Sequence, residues 1–259
     1  MSCFVGTYTG PEIGISLYQW FQDDDFGHHV VFADGSSLGP EVLDGSLIDC
    51  SNPFESMKLP PLLQPTESIG PHAAELQLAE GQAVRLKSGQ RWVMQSHYVN
   101  ASDNELLAQD VINFGFTPVE DVNFWVSSWT FNNSVFSVAP GATLDLEFSC
   151  EWPESANVMT MMGHMHDFGT SMWVSHETGG SSVQIYRLPD WSPQWQADPV
   201  FIDFELGELT PIAGDTFTVG CSFHNTSDEQ LEFPREMCVA TGVAGPLDAP
   251  IECDAGYPD

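Results

Sequence analysis

Basic side chains are nearly missing from this chain: six Lys and Arg stand against 37 Asp and Glu, for a formal net charge of -31 and a pI near 4.1. Such a surface repels nucleic acid and anionic membranes, which excludes both as partners. The acids are scattered, apart from Asp23, Asp24 and Asp25, and read as a solvated surface suited to saline or extracellular surroundings. Long apolar runs are absent too. None approaches the roughly 20 residues that cross a bilayer, so no membrane insertion is expected. The opening MSCFVGTYTG has neither a basic n-region nor an apolar h-region, and reads as the start of a mature form. No CxxC pair occurs, which leaves redox-active dithiol and zinc-ribbon motifs unsupported. No stretch keeps a helical period, and there is no internal repeat or low-complexity region.

What is present is a β-protein's vocabulary. With 259 residues and 42% hydrophobic content the chain can bury a substantial core. Segments such as Arg91 to Val99, Asp121 to Phe131, Thr143 to Ser149, Val200 to Leu206 and Thr216 to Phe223 are short and rich in β-branched and aromatic residues. Gly, Pro, Asn and Asp separate them. The fold class expected is all-β, built as two antiparallel β-sandwich domains of jelly-roll type. A seam in the segment 113–121 divides them into residues 1–117 and 118–259. The Pro-rich stretch 51–70 reads as a long surface loop. An even count of six cysteines favours structural disulfides and a secreted, extracellular or periplasmic location. Six cysteines allow 15 pairings.

Six side chains could ligate a soft metal. GHMHDFG places His164 and His166 two apart, and in a strand such residues project from one face, delivering two imidazoles to one ion. Met237, in REMC, adds a thioether, which beside imidazoles favours Cu(I) over zinc, calcium or magnesium. In the first half, His28 and His29 are adjacent and His97 completes a three-imidazole set. Neighbours on a regular strand face opposite ways, so one ion can hold both only if the strand ends or bulges there, or if the rings use different nitrogens. Singly, each of these features is ordinary: HxH arises by accident and Met packs cores. His72, His176 and His224 have no second ligand at suitable spacing. Sequons at Asn100, Asn132 and Asn225 matter only in a host that glycosylates its exported proteins. A mononuclear hydrolase would need a carboxylate or third histidine beside the HxH pair, and Asp167 aims at the opposite face.

The order and spacing of these motifs resemble the copper type II ascorbate-dependent monooxygenases, the family of peptidylglycine α-hydroxylating monooxygenase and dopamine β-monooxygenase. The motifs are HH at 28–29, QxHY at 95–98, HxHxxG at 164–169, CxxHNT at 221–226 and EMC at 236–238. The resemblance implies two copper ions per chain, in two domains with an open cleft between them. His28, His29 and His97 hold an electron-transferring copper; His164, His166 and Met237 hold the oxygen-activating one. It implies O2 and a small-molecule substrate as partners, ascorbate as reductant, and hydroxylation of a C–H bond. Gln95, two residues before His97, supports that ligand from behind or lies on the electron path, and Tyr98 is packing. The resemblance further implies the pairs Cys3 with Cys50, Cys150 with Cys253, and Cys221 with Cys238.

The chain departs from the family at several points. Val30 follows the HH pair and Asp34 stands where a cysteine is expected, so one family disulfide is missing. Met165 and Asn157 replace a threonine and a histidine. Met162, Val239 and Thr241 replace the arginine, asparagine and tyrosine that grip a peptide carboxylate, which argues against peptide amidation. An alternative from another class is a secreted copper-binding or interaction protein of the same fold without turnover.

Overall fold

A computed structural model describes residues 2–22, 27–50, 59–70, 72–98, 105, 107, 109–196 and 198–256, with the side chains of 27–29 outside that description. In the first part run β1 (Ser2–Thr7), β2 (Ile13–Phe21), β3 (Gly27–Asp34), β4 (Leu47–Asp49), β5 (Pro61–Leu63), β6 (Glu67–Gly70), β7 (Ala73–Gln77), β8 (Gln82–Leu86), β9 (Arg91–Tyr98) and β10 (Val111–Thr117). After them come β11 (Phe124–Asn132), β12 (Ser137–Val138), β13 (Thr143–Glu151), β14 (Asn157–His164), β15 (Gly169–Thr178), β16 (Ser181–Leu188), β17 (Phe201–Asp203), β18 (Thr216–His224), β19 (Leu231–Glu232), β20 (Val239–Gly245) and β21 (Ile251–Asp254). The described residues contain two 3-10 turns and no α-helix. None of their elements is a helix long and apolar enough to cross a membrane.

The chain divides into two compact units. One comprises Met1–Ser128 with Leu247–Pro250, the other Trp129–Pro246 with Ile251–Asp259. The segment 113–121, expected at the seam, carries β10 and a 3-10 turn inside the first unit, and the chain passes into the second within β11. The stretch 51–70, read from sequence as a loop, contributes β5 and β6; Pro61 opens β5, at the first position of a short strand. Residues 51–58 lie outside the description.

In the first unit, one sheet has the order β4-β1-β9-β3-β5, and β11, β8, β2, β7 and β6 follow one another in a second, with β10 beside β2. Tyr18 stacks on Phe114 and meets Phe32, which stacks on Trp92. On the other face of β9, Val93 is buried with Cys3, Val5, Ala33, Cys50 and Leu59.

In the second unit, β17, β14, β20 and β11 lie side by side, and β13-β18-β15-β16 form a four-stranded sheet. Its core is aromatic and sulfur-rich: Trp129, Phe131, Trp152, Phe217, Met161 and Met172 are fully buried. Most ladders are antiparallel, as expected, but β11 pairs parallel with both β8 and β21. A parallel neighbour needs a long crossover rather than a hairpin, and the many residues between β8 and β11 supply one.

Three disulfides close: Cys3–Cys50, Cys150–Cys253 and Cys221–Cys238, with no free cysteine among the described residues. These are the three pairs implied by the family resemblance. They suit an oxidising, extracellular-type environment.

Candidate metal centres

The second unit brings His164 and His166 together. Their Nε2 atoms lie 3.1 Å apart, with the rings nearly perpendicular. Two ligands at about 2.0–2.1 Å from one ion and roughly 100° apart have that separation, so the pair fits a shared metal. The route differs from the one read in the sequence. β14 ends at His164, and His166 lies beyond it in a turn. His166 is held there by its own backbone: its N–H donates to Glu236 at 3.0 Å, and its carbonyl accepts the Trp191 indole N–H at 2.9 Å. Met165, between them, is fully buried. The glycine that opens the motif is required by space, because a Cβ on Gly163 would sit 2.3 Å from the Met172 sulfur.

Tautomer follows from the next contact. Nδ1 of His166 lies 3.1 Å from the Arg235 carbonyl oxygen. A carbonyl can only accept, so Nδ1 carries the proton in the neutral ring and Nε2 presents its lone pair toward His164. Burial pushes the His166 pKa down, against the Arg235 carbonyl and Asp167, which draw it up.

Met237 lies two residues before β20. The ladder pairs His164 with Val239, and continuing that register by two would set Met237 opposite His166. Its side chain is half-buried, and the following Cys238 is tied to Cys221. Glu236 is wholly buried and accepts N–H groups from Phe168 at 2.7 Å and from His166 at 3.0 Å. Burial pushes its carboxyl up to about 7, against those N–H donors and with Asp167 adding to the rise. Sequence reasoning passed over Glu236, Arg235 and Trp191. An acid next to a candidate ligand was visible in REMC, but its burial was not.

In the first unit the backbone of β3 sets His29 opposite His97, and the register shifts between Gly27 and His29. An irregularity at His28 is what two adjacent ligands on one strand demand. The side chains of His28 and His29 lie outside the described residues. Gln95 lies two before His97 on β9, opposite Cys3, with its amide 3.9 Å from the Cys50 sulfur. Tyr98, expected as packing, donates to Asp110 at 2.5 Å, and Ser96 donates to the same carboxylate. Gln22 joins them, its amide reaching Asp110 at 3.1 Å and the His97 carbonyl at 3.4 Å. A polar clamp therefore holds the end of β9 that carries His97.

The remaining histidines differ. His176, set aside in the sequence, pairs with buried Asp215 at 2.9 Å and packs on Phe217. His72 holds a positive φ of 54°. Two sequons are structural: Asn225 is fully buried with its amide donating to the Val138 and Glu229 carbonyls, and Asn132 is buried in β11. Asn100 lies outside the description.

Among the described residues no group of three or more His, Cys, Asp or Glu gathers as a metal site. A pocket of about 310 Å³ in the first unit, lined by Asp34, Arg85, Gln90, Ser127 and Asp248 among others, contains none of the candidate ligands.

No protein-family model matches the chain, and no curated protein does. Among solved structures it is similar to the major capsid protein P2 from Bacteriophage PM2, 11% identical over 94% of this chain and 98% of that one, with a TM-score of 0.38. It is also similar to the infectious bursal disease virus VP2 subviral particle, 12% identical over 92% and 57%, with a TM-score of 0.25. At such scores neither likeness bears on function.

Proposed function

We propose that the chain is an exported copper-dependent monooxygenase that hydroxylates a C–H bond of a small organic substrate. O2 and an external reductant such as ascorbate complete the balance: substrate, O2, two electrons and two protons give hydroxylated substrate and water. The observation that carries this reading is the His164–His166 pair, two Nε2 atoms 3.1 Å apart with one tautomer set by a backbone carbonyl. The register that leads toward Met237 supports it, as do the three disulfide pairs and the irregularity at His28 opposite His97.

His164, His166 and Met237 would hold one copper, and His28, His29 and His97 the other; bound there, copper would supply one-electron transfer and O2 activation. The chain's own groups present the donors. Arg235 keeps the His166 proton on Nδ1, and the Asp110 clamp steadies the strand of His97. The positions where peptide-amidating members grip a carboxylate hold Met162, Val239 and Thr241, and Met162 pairs with Thr241 across β14 and β20. The substrate class is therefore one not anchored by its carboxylate.

The test is copper content followed by turnover under labelled O2 with amines, phenethyl compounds and acylglycines. Two coppers per chain and isotope in the product are expected. Copper without isotope in any product favours a copper-binding protein without turnover, and a chain that takes up no copper overturns both readings.

A further inference from the structure

We infer that Glu236 is a positioning residue for the donor set of the second unit: its carboxylate fastens the turn that carries His166 to the segment that carries Met237. The inference rests on the copper reading above. Among the described residues Glu236 and Asp215 are the only buried carboxylates, and only Glu236 is fully so. Burying a carboxylate is costly unless its oxygens are well bonded. Glu236 is not matched by its neighbouring cation, because Arg235 turns to Glu229 at 2.7 Å.

Its partners are instead backbone N–H groups on two segments far apart in sequence. One oxygen takes His166 N–H and the other Phe168 N–H, 70 and 68 residues away. The same short segment accepts the His166 ring through the Arg235 carbonyl. β14 has already ended, so no ladder holds these segments together beyond His164 and Val239. Glu236 continues the connection with a side chain. Met237 then lies between two anchors, Glu236 before it and the Cys221–Cys238 bridge after it. What remains free is its side-chain rotamer.

The role belongs to a carboxylate because both oxygens accept. An amide at this position offers one acceptor and sets its NH2 against the other backbone donor. An alanine leaves the donors unmet.

The experiment compares full-length, copper-loaded wild type, E236Q and E236A, with D215N as a variant that loses the other buried carboxylate in the same unit. The readouts are the sulfur contribution to the Cu(I) X-ray absorption spectrum and Cu(I) affinity by chelator competition. E236A is expected to lose the sulfur contribution and at least about tenfold in Cu(I) affinity, with E236Q between it and wild type. D215N should lower thermal stability and leave both copper readouts unchanged. Folded E236A with wild-type sulfur signal and affinity overturns the inference while leaving the copper reading standing; if E236A does not fold, E236Q decides on the same criterion. Wild type that takes up no copper overturns the functional reading itself, before Glu236 is changed.

Discussion

Nδ1 of His166 lies 3.1 Å from the carbonyl oxygen of Arg235, and this one contact decides which ring nitrogen faces His164. In the metal-free protein near neutral pH, the neutral His166 ring should be the Nδ1–H tautomer. Long-range proton–nitrogen correlation spectra report it directly, and an Nε2–H pattern would contradict the geometry. Outer-shell partners of metal ligands are worth roughly 10–100-fold in affinity, so His166→Ala should cost more than that at this centre.

Met237→Ala tests the sulfur. The two imidazoles remain, so Cu(II) uptake should persist while Cu(I) retention weakens, because soft thioethers select the reduced ion. Copper per chain measured under oxidising and reducing conditions separates the two, and equal retention of both ions would remove Met237 from the centre.

Asp215 governs acid stability in the second unit. Burial raises its carboxyl pKa, but the Ile212 N–H, the Thr178 hydroxyl and His176 outweigh burial and hold it below its ordinary 3.8. A depressed carboxyl contributes stability that is fully present above about 3.8 and is lost as pH falls through the folded value. Asp215→Asn should therefore cost about 1 kcal/mol at neutral pH and flatten the acid limb. Urea midpoints followed downward from pH 5 check both.

Disulfide loss should scale with loop length. Cys150–Cys253 spans 103 residues and Cys221–Cys238 spans 17. Chain entropy assigns roughly 4.7 and 3 kcal/mol to loops near these sizes. Double Cys→Ala variants of each pair, compared by chemical denaturation, should fall in that order.

Export through a glycosylating host should leave Asn132 and Asn225 unmodified. Both are buried, and the Asn225 amide is spent on the Val138 and Glu229 carbonyls. Intact-mass and peptide mapping read this out. Asn225→Ala should destabilise by about 1–3 kcal/mol, since those carbonyls and the Ser227 donors lose their partner.

Composition and local pattern were enough for the all-β class, for strands expected at 91–99, 143–149 and 216–223 and found within two residues of those bounds, and for the roster of imidazole and thioether donors. These follow from period-two hydrophobicity and from side-chain chemistry, which are local properties. The family resemblance added the disulfide pairs. Tertiary structure decided the rest. β14 stops at His164 because the Glu236 carboxylate and the Trp191 indole capture the backbone of His166, and Glu236 is buried because two N–H groups from a distant segment, those of His166 and Phe168, converge on it. Likewise Tyr98 is a donor rather than packing because Asp110 returns beside β9. β11 takes two parallel partners along its length because β8 and β21 come to it by long returns of the chain. Hydrogen bonds between residues tens of positions apart leave no periodic trace in a sequence, and only the folded backbone reveals where they close.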